Sequence, residues 1–192
     1  MSALAVFGYG SLVNAASLAE TLGRPAEVAA LARLRGWRRT WGLARDNAAC
    51  EKTFELADGT LPKFCLGLDL IPDPQAPPPN GALFAVTEAE LDRLDVREIR
   101  YERVDVTDEI DSDARFDRVV TFRSRPEHRA AATPRDGTVL ISTYLEAVEG
   151  AFEALGPGQL ELFRKTTGAP PVEVVAATLV ADRIPAGNPR DW

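Results

Sequence analysis

Apolar runs and alternating apolar and polar positions predict short strands over much of the chain. Residues 4–7 form an apolar run that ends at a glycine, which is typical of a buried strand entering a tight turn. The apolar positions of residues 27–42 have mixed periodicity, and β-favouring residues occur around Trp37. This pattern predicts two strands. Five further strands are predicted at residues 65–71, 81–86, 101–110, 116–122 and 172–180.

Helical spacing and capping residues predict the helices. Asn14 can cap a helix that runs through residue 22 and stops at Gly23. Thr87, followed three residues later by Glu90, has the capping-box pattern and predicts a helix through residue 94. Two more helices are predicted at residues 138–155 and, after Gly156-Pro157-Gly158, to about residue 168.

The order of these elements favours an α+β fold over a doubly wound sheet, because strands and helices do not alternate regularly. Residues 72–80 contain five prolines and predict an exposed loop, since proline suits neither a helix interior nor a central strand. No internal repeat or linker divides the chain. Residues 1–192 are therefore predicted to form a single domain.

Composition narrows the classes of function. The chain is 45% hydrophobic and 27% charged, as expected of a globular protein, and its net charge of −7 disfavours nucleic acid and anionic lipid as partners. Its two cysteines, Cys50 and Cys65, exclude a disulfide scaffold and suit a reducing compartment. Neither a signal-peptide pattern nor an apolar run of ~20 residues occurs. We expect a cytoplasmic protein that binds neither membrane nor nucleic acid.

A local basic and aromatic cluster lies in the predicted strands near residue 37. It consists of Arg33, Arg35, Arg38 and Arg39 with Trp37 and Trp41. In an acidic chain this pattern favours an amphipathic strand whose arginines pair with the chain's own carboxylates over a nucleic-acid surface. The two tryptophans are expected in the core.

The first motif with chemical potential is FGYGSL at residues 7–12, between a predicted strand and a predicted helix. Such a turn can direct several backbone N–H groups into one concavity that suits a carboxylate or a developing oxyanion. It lacks the third glycine of a dinucleotide-binding fingerprint, the lysine of a phosphate-binding loop, and the Gly-x-Ser-x-Gly of a nucleophile elbow. An ordinary tight turn is the alternative.

The second motif is LDVREIRY at residues 94–101, between a predicted helix and a predicted strand. A carboxylate at the mouth of a strand can serve as a general base when it is partly desolvated. A solvated cluster of charges is the alternative.

Taken in order along the chain, these two motifs with RGWRR at residues 35–39 and YLEAVEG at residues 144–150 resemble the gamma-glutamylcyclotransferase superfamily. The form of the motifs is similar to its ChaC-like branch in particular. The resemblance implies a small mixed β-barrel flanked by helices, with the glycine turn as substrate cradle. It also implies that Glu98 is the catalytic glutamate. The substrate-binding residues that it implies are Tyr9, Gly10, Ser11, Leu12, Tyr101 and Tyr144.

That superfamily cleaves γ-glutamyl amides by attack of the substrate's own α-amine, which gives 5-oxoproline and a free amine or peptide. Because both reacting groups lie on one molecule, the protein has to fold the substrate, accept a proton and stabilise the oxyanion. This chemistry needs no metal, cofactor or protein nucleophile. We expect a small γ-glutamyl substrate and a monomer or weak homodimer. The alternative is a non-catalytic domain of the same fold that binds a small amide or a protein.

Overall fold

The computed structural model describes residues 3–130 and 134–183, which form twelve strands and four α-helices. The first six strands are Leu4–Gly8 (β1), Ala30–Leu34 (β2), Trp37–Asp46 (β3), Lys52–Leu56 (β4), Phe64–Pro72 (β5) and Asn80–Ala85 (β6). The others are Tyr101–Asp105 (β7), Ile110–Asp111 (β8), Arg118–Ser124 (β9), Thr138–Ile141 (β10), Val174–Val175 (β11) and Ala177–Asp182 (β12). The helices are Ala15–Leu22 (α1), Glu88–Arg97 (α2), Ser142–Ala154 (α3) and Gln159–Thr167 (α4). No described helix is long and apolar enough to cross a membrane.

The strands form a mixed, curled half-barrel with the helices around it. A six-stranded sheet has the order β7-β9-β1-β6-β2-β8, a four-stranded sheet has the order β11-β10-β5-β3, and β12 pairs with β4. The β1–β9, β5–β10 and β10–β11 pairs are parallel and the others are antiparallel. The predicted α+β fold is therefore confirmed.

Strand β1 is buried on both faces, which explains its unbroken apolar sequence. Ala5 and Phe7 pack into the core formed with α3 and α4. Leu4 and Val6 point the other way, into the core formed with α1 and α2. Because successive strand residues face opposite sides, one five-residue strand joins both cores. Because β1 is held on both faces, the position at which the glycine turn begins is fixed as well.

A β-bulge interrupts the pairing of β3 with β5. Thr40 pairs with Asp69, whereas Leu43 pairs with Gly67. Two residues of β3 therefore stand opposite Leu68 alone, and Leu68 has no partner in the ladder. Such a bulge leaves backbone polar groups to be satisfied by side chains.

Arg39 of β3 is completely buried and joins four parts of the fold. Its five N–H groups donate to Tyr9 O, Asn80 O, Asn80 Oδ1, Thr166 Oγ1 and Thr167 Oγ1, at 2.7–2.9 Å. Its guanidinium carbon also lies 4.9 Å from the Phe152 ring centroid and 4.4 Å from that of Phe163. None of these partners carries a charge, and burial lowers the pKa of Arg39.

The prediction that the arginines of this strand pair with carboxylates is confirmed for one residue and wrong for another. Arg38 points outward and its Nε lies 3.2 Å from Asp73 Oδ2. Arg39 points inward because strand side chains alternate, and it is satisfied by neutral acceptors. Trp37 and Trp41 are buried, as predicted.

Helix α2 begins at the predicted capping box. The Thr87 hydroxyl accepts from the Glu90 N–H, and the Glu90 carboxylate accepts from the Thr87 N–H at 2.7 Å. Arg24, just beyond α1, donates to both Glu90 oxygens at 2.5 and 3.0 Å. This side-chain hydrogen bond from Arg24 is the main cause that lowers the pKa of Glu90 to about 2. The capping prediction for Asn14 is confirmed too, since its side chain accepts from Ser17 N.

Three predicted elements differ from the structure, and one strand was not predicted. The helix predicted at 138–155 begins only at residue 142, because the β-branched residues before it form β10 and pair with β5 and β11. The strand predicted at 101–110 stops at 105, where a 3-10 turn intervenes before β8, and that predicted at 172–180 divides into β11 and β12. No element was predicted for 52–56, which is β4 and pairs with β12.

We expect Arg39→Lys to destabilise the fold strongly, because an ammonium has three donors and cannot serve five fixed acceptors. Leaving buried acceptors unsatisfied should lower the free energy of unfolding by about 3 kcal/mol. Urea unfolding at neutral pH measures this change. Arg38→Gln, on the same strand but in an exposed ion pair, is the matched control and should cost less than about 1 kcal/mol. Equal costs for the two variants would contradict the role assigned to Arg39.

We expect Glu90→Gln to destabilise the protein at pH 7 by about 2 kcal/mol, the scale of a charge-assisted hydrogen bond. Because the folded-state pKa lies below the ordinary value of 4.5, the carboxylate stabilises above pH 4.5, and this contribution is lost as pH falls toward about 2. Urea unfolding of both proteins across this range should show the difference shrinking. A constant difference at all pH values would contradict the ion-pair origin.

Candidate active site

The seven residues predicted for the site line one cavity, although they come from three separate parts of the chain. The cavity holds about 280 Å³ of empty space and is called here the inner chamber. Its predicted residues are Tyr9, Gly10, Ser11, Leu12, Glu98, Tyr101 and Tyr144. Leu68 of β5 and Phe122 of β9 complete the wall and were not predicted.

The glycine turn forms one wall of the inner chamber. After β1 the chain enters a short 3-10 turn, Ser11–Val13, and among the described residues the Ser11 and Leu12 amides make no hydrogen bond. Arg39 holds the Tyr9 carbonyl at 2.9 Å, so the adjoining trans peptide directs the Gly10 N–H away from that arginine. A Cβ at Gly10 would lie 3.1 Å from Leu68 Cδ1, which makes glycine the best fit there. The turn therefore brings residues whose backbone N–H groups make no hydrogen bond to the wall of the inner chamber.

Glu98 lies where α2 ends and β7 begins. Its N–H donates to Leu94 O at 2.8 Å, and its carbonyl accepts from Tyr101 N at 2.7 Å, which fixes the backbone on both sides. The side chain is 12% exposed, and its Oε1 lies 3.3 Å from Arg97 Nε. Arg97 is itself tied to Ser17 and Thr21 of α1. A mostly buried carboxylate therefore faces the cavity beside a fixed guanidinium.

Two tyrosines satisfy the backbone that the β-bulge leaves unpaired. The Tyr101 hydroxyl donates to Leu68 O at 2.7 Å, and Leu68 N donates to the Tyr144 hydroxyl at 3.2 Å. Both backbone polar groups of Leu68 are thus held by pocket side chains. The tyrosines that line the inner chamber therefore also complete the hydrogen bonding at the bulge.

Asp69, a buried carboxylate that was not predicted, stabilises the strand beside Leu68. Its Oδ1 accepts from Leu70 N at 2.8 Å and from Ser124 N at 2.6 Å, which links β5 to the end of β9. The sequence signal for this role is weak, because an aspartate in an alternating strand suggests a wet face. Asp69 is nevertheless buried, because both faces of β5 are covered at this point.

The three tyrosine hydroxyls stay protonated near neutral pH. Burial raises the pKa of Tyr144 to about 12 and raises the pKa of Tyr9 and Tyr101 well above the ordinary value. Nearby Glu98 contributes in the same direction. The Tyr9 hydroxyl has no hydrogen-bond partner among the described residues. It is available as a donor or acceptor to a ligand.

A larger cavity, the outer chamber, adjoins the inner one and holds about 790 Å³. The two chambers share Ser11, Glu98, Tyr101 and Tyr144. Seven of the fifteen described residues that line the outer chamber belong to β3, β4 and β5. Sequence reasoning missed these seven, because it assigned no site to residues 44–63 or to the strands on either side. In the described part of the chain no cluster of three His, Cys, Asp or Glu side chains could hold a metal ion.

Comparison with known proteins identifies the fold. No protein-family model and no curated protein sequence matches the chain. A gamma-glutamyl cyclotransferase structure superposes on 88% of this chain and 89% of its own, with TM-score 0.60 and 13% identity. The chain therefore has the gamma-glutamyl cyclotransferase fold.

Two further structures share this fold. A glutathione-specific cyclotransferase from yeast has TM-score 0.52 and 14% identity over 87% of this chain and 98% of its own. YkqA from Bacillus subtilis has TM-score 0.57 and 18% identity over 86% of this chain. The chain spans only 54% of the length of YkqA. At such identities the likeness extends to the fold, and the ChaC-like branch stays a prediction.

We expect Tyr101→Phe and Tyr144→Phe each to lower the free energy of unfolding by about 1 kcal/mol, because each removes a hydrogen bond to Leu68. The double variant should depart from additivity by at least about 0.5 kcal/mol, because the two hydroxyls hold the backbone N–H and C=O of the same residue. Chemical denaturation of all four proteins completes the cycle. Tyr9→Phe is the matched control and should be nearly neutral. Full additivity would contradict the coupling through Leu68.

Proposed function

We propose that this protein is a cyclotransferase that converts a γ-glutamyl amide or peptide to 5-oxoproline and a free amine. The observation that carries the proposal is the meeting of Glu98, three protonated tyrosines and the glycine turn around one small cavity. The fold and the three motifs that predicted these residues support it further. The inner chamber receives the glutamyl half in this proposal, and the outer chamber receives the amine half.

Glu98 acts as the general base. The α-amine of the substrate attacks the γ-carbonyl carbon, which forms the new C–N bond of the five-membered ring. Glu98 removes a proton from that amine and then gives it to the leaving nitrogen as the original C–N bond breaks. The carboxylate is regenerated in each turnover, so the chain needs no covalent intermediate.

The turn stabilises the oxyanion that develops on the γ-carbonyl. The Ser11 and Leu12 amides carry N–H groups without partners among the described residues, and both residues line the same cavity as Glu98. Donors that are fixed before the reaction stabilise developing charge without reorganisation. Arg39 contributes indirectly by fixing the Tyr9 carbonyl, and it is a positioning residue.

Tyr9 holds the glutamyl half of the substrate. Tyr9 lines the chamber and its hydroxyl has no partner among the described residues, whereas the other two tyrosines are engaged with Leu68. It is therefore the hydroxyl best placed to bind the substrate's α-carboxylate or amine. This assignment separates one ligand-binding tyrosine from two that shape the chamber.

We expect Glu98→Gln to retain substrate binding but to lower kcat by about 100- to 10,000-fold, because the amide keeps the shape and loses the base. The assay incubates the protein with glutathione, γ-glutamyl dipeptides and γ-glutamyl amines and measures 5-oxoproline by mass spectrometry. Ser11→Ala should have a smaller effect, since the backbone donors stay in place.

Glu102→Gln is the matched control, because Glu102 is paired with Arg123 at 2.9 Å outside both chambers. It should keep wild-type activity. Wild-type protein that binds γ-glutamyl ligands and releases no 5-oxoproline would overturn the enzyme assignment. That result would favour a binding domain of the same fold.

A further inference from the structure

Gly67 occupies a position in β5 where a glycine is unexpected. It is the fourth residue of a nine-residue strand, it is buried, and it stands between two leucines. Glycine weakens the interior of a strand, because it loses more conformational freedom on folding than any other residue and has no side chain to pack. Gly67 is not among the described glycines that have a positive φ. The backbone conformation of β5 therefore does not explain this glycine.

Packing within the protein leaves nearly enough room for a methyl group at this position. A Cβ at residue 67 would lie 3.1 Å from Leu43 Cδ2 and 3.7 Å from the Tyr101 hydroxyl oxygen. Only the first contact is close, and it involves the far end of a flexible side chain. At Gly81, in contrast, a Cβ would lie 2.1 Å from Gly8 O, so the fold itself excludes a side chain there. At Gly67 a small shift of Leu43 would admit a methyl group.

The space beside Gly67 borders the place where the two chambers meet. This place, called here the neck, is bounded by the four residues that both chambers share, which are Ser11, Glu98, Tyr101 and Tyr144. Gly67 and Leu43 line the outer chamber, and the next residue of the strand, Leu68, lines the inner one. The Tyr101 hydroxyl is held in place because it donates to Leu68 O at 2.7 Å. A side chain at residue 67 would therefore occupy space beside this hydroxyl, on the outer side of the neck.

The proposed reaction makes this space part of the path of the substrate. With the glutamyl half in the inner chamber and the amine half in the outer one, the bond that breaks spans the neck. The carbon attached to the leaving nitrogen then lies directly on the outer side of the neck. Branching at this carbon adds a further heavy atom at the same place. The demand for space near Gly67 thus increases with branching.

We propose that Gly67 is a specificity-determining residue, whose missing side chain leaves room at the neck for a branched carbon on the leaving nitrogen. The proposal rests on the cyclotransferase function proposed above and deepens it. It assigns to one residue the acceptance of amines that are branched at the carbon bearing the nitrogen. Leu43, which pairs with Gly67 across the ladder, and the Tyr101 hydroxyl bound the same space.

The test compares two isomeric substrates, γ-glutamyl-isopropylamide and γ-glutamyl-n-propylamide. Their leaving amines have the same composition, the same charge and nearly equal basicity, and they differ in branching at the carbon attached to nitrogen. Gly67→Ala should lower kcat/KM for the branched isomer about 10-fold more than for the unbranched one, since overpacking by one methyl group has an effect of this scale. Release of 5-oxoproline is the readout.

Gly150→Ala is the matched control, because Gly150 lies in α3 and a Cβ placed there would meet no atom within 4 Å. It should keep the wild-type ratio of the two isomers. The ratio separates a role in specificity from damage to the fold, because a loss of folded protein lowers both values equally. A Gly67→Ala variant that keeps the wild-type ratio would overturn the role of Gly67 and leave the cyclotransferase function standing.

If Gly67→Ala does not fold, Leu43→Ala tests the same space from the opposite strand. Removal of the Leu43 side chain beyond Cβ enlarges the space beside Gly67. The kcat/KM for γ-glutamyl-tert-butylamide should then rise about 10-fold relative to that for the isopropylamide, because the additional methyl group is no longer crowded. An unchanged ratio would overturn the proposal.

A binding measurement separates this proposal from the proposed function. In Glu98→Gln protein, addition of Gly67→Ala should weaken binding of the isopropylamide about 10-fold more than binding of the n-propylamide, as measured by calorimetric titration. If no amide yields 5-oxoproline but this difference is present, the function is overturned and the role of Gly67 in selecting the ligand stands. If neither turnover nor this difference is observed, both are overturned.

Discussion

The burial of one guanidinium among neutral acceptors is the constraint on which this fold depends. Arg39 brings its charge into the core, where each of its five donors needs an acceptor. Those acceptors come from the glycine turn, the start of β6 and the end of α4, while the rings of α3 and α4 cover its faces. Elements distant in sequence must all be in place before this charge can be buried. The contacts of Arg39 that hold the core together are therefore also the contacts that shape the glycine turn.

The site is built from a defect in the sheet. The bulge between β3 and β5 leaves the Leu68 peptide without a ladder partner, and Tyr101 and Tyr144 supply what the ladder does not. Tyr101 belongs to the six-stranded sheet and Leu68 to the four-stranded one, so this contact also joins the two sheets. Asp69 adds a second link across the same junction. The chamber exists because the two sheets meet without continuous backbone pairing.

Sequence reasoning performs well where local signals and fold agree. The buried β1, the caps at Asn14 and Thr87 and the convergence of the motif residues on one cavity were all predictable. The bulge was not, because register depends on partners that alternation does not reveal. Part of the wall of the outer chamber comes from residues 44–63, where the sequence shows no motif and no clear hydrophobic periodicity. This part includes β4, which pairs with the distant β12. Helical spacing runs from β10 into the helix that follows, and it outweighs the β-branched residues at 138–141 that favour a strand.

Tyr101 and Tyr144 form hydrogen bonds with the backbone C=O and N–H of Leu68 and not with its side chain. Any residue except proline offers the same N–H and C=O at position 68. The orientation of the two tyrosines is therefore independent of which side chain stands opposite the bulge. The Leu68 side chain itself lines the inner chamber and fills the space beside Gly10. Capacity and alignment are therefore separately adjustable: a smaller residue at 68 enlarges the chamber while its tyrosine frame stays in place. Leu68 also packs in the buried core, so the same change would lower the stability of the fold while it adds volume.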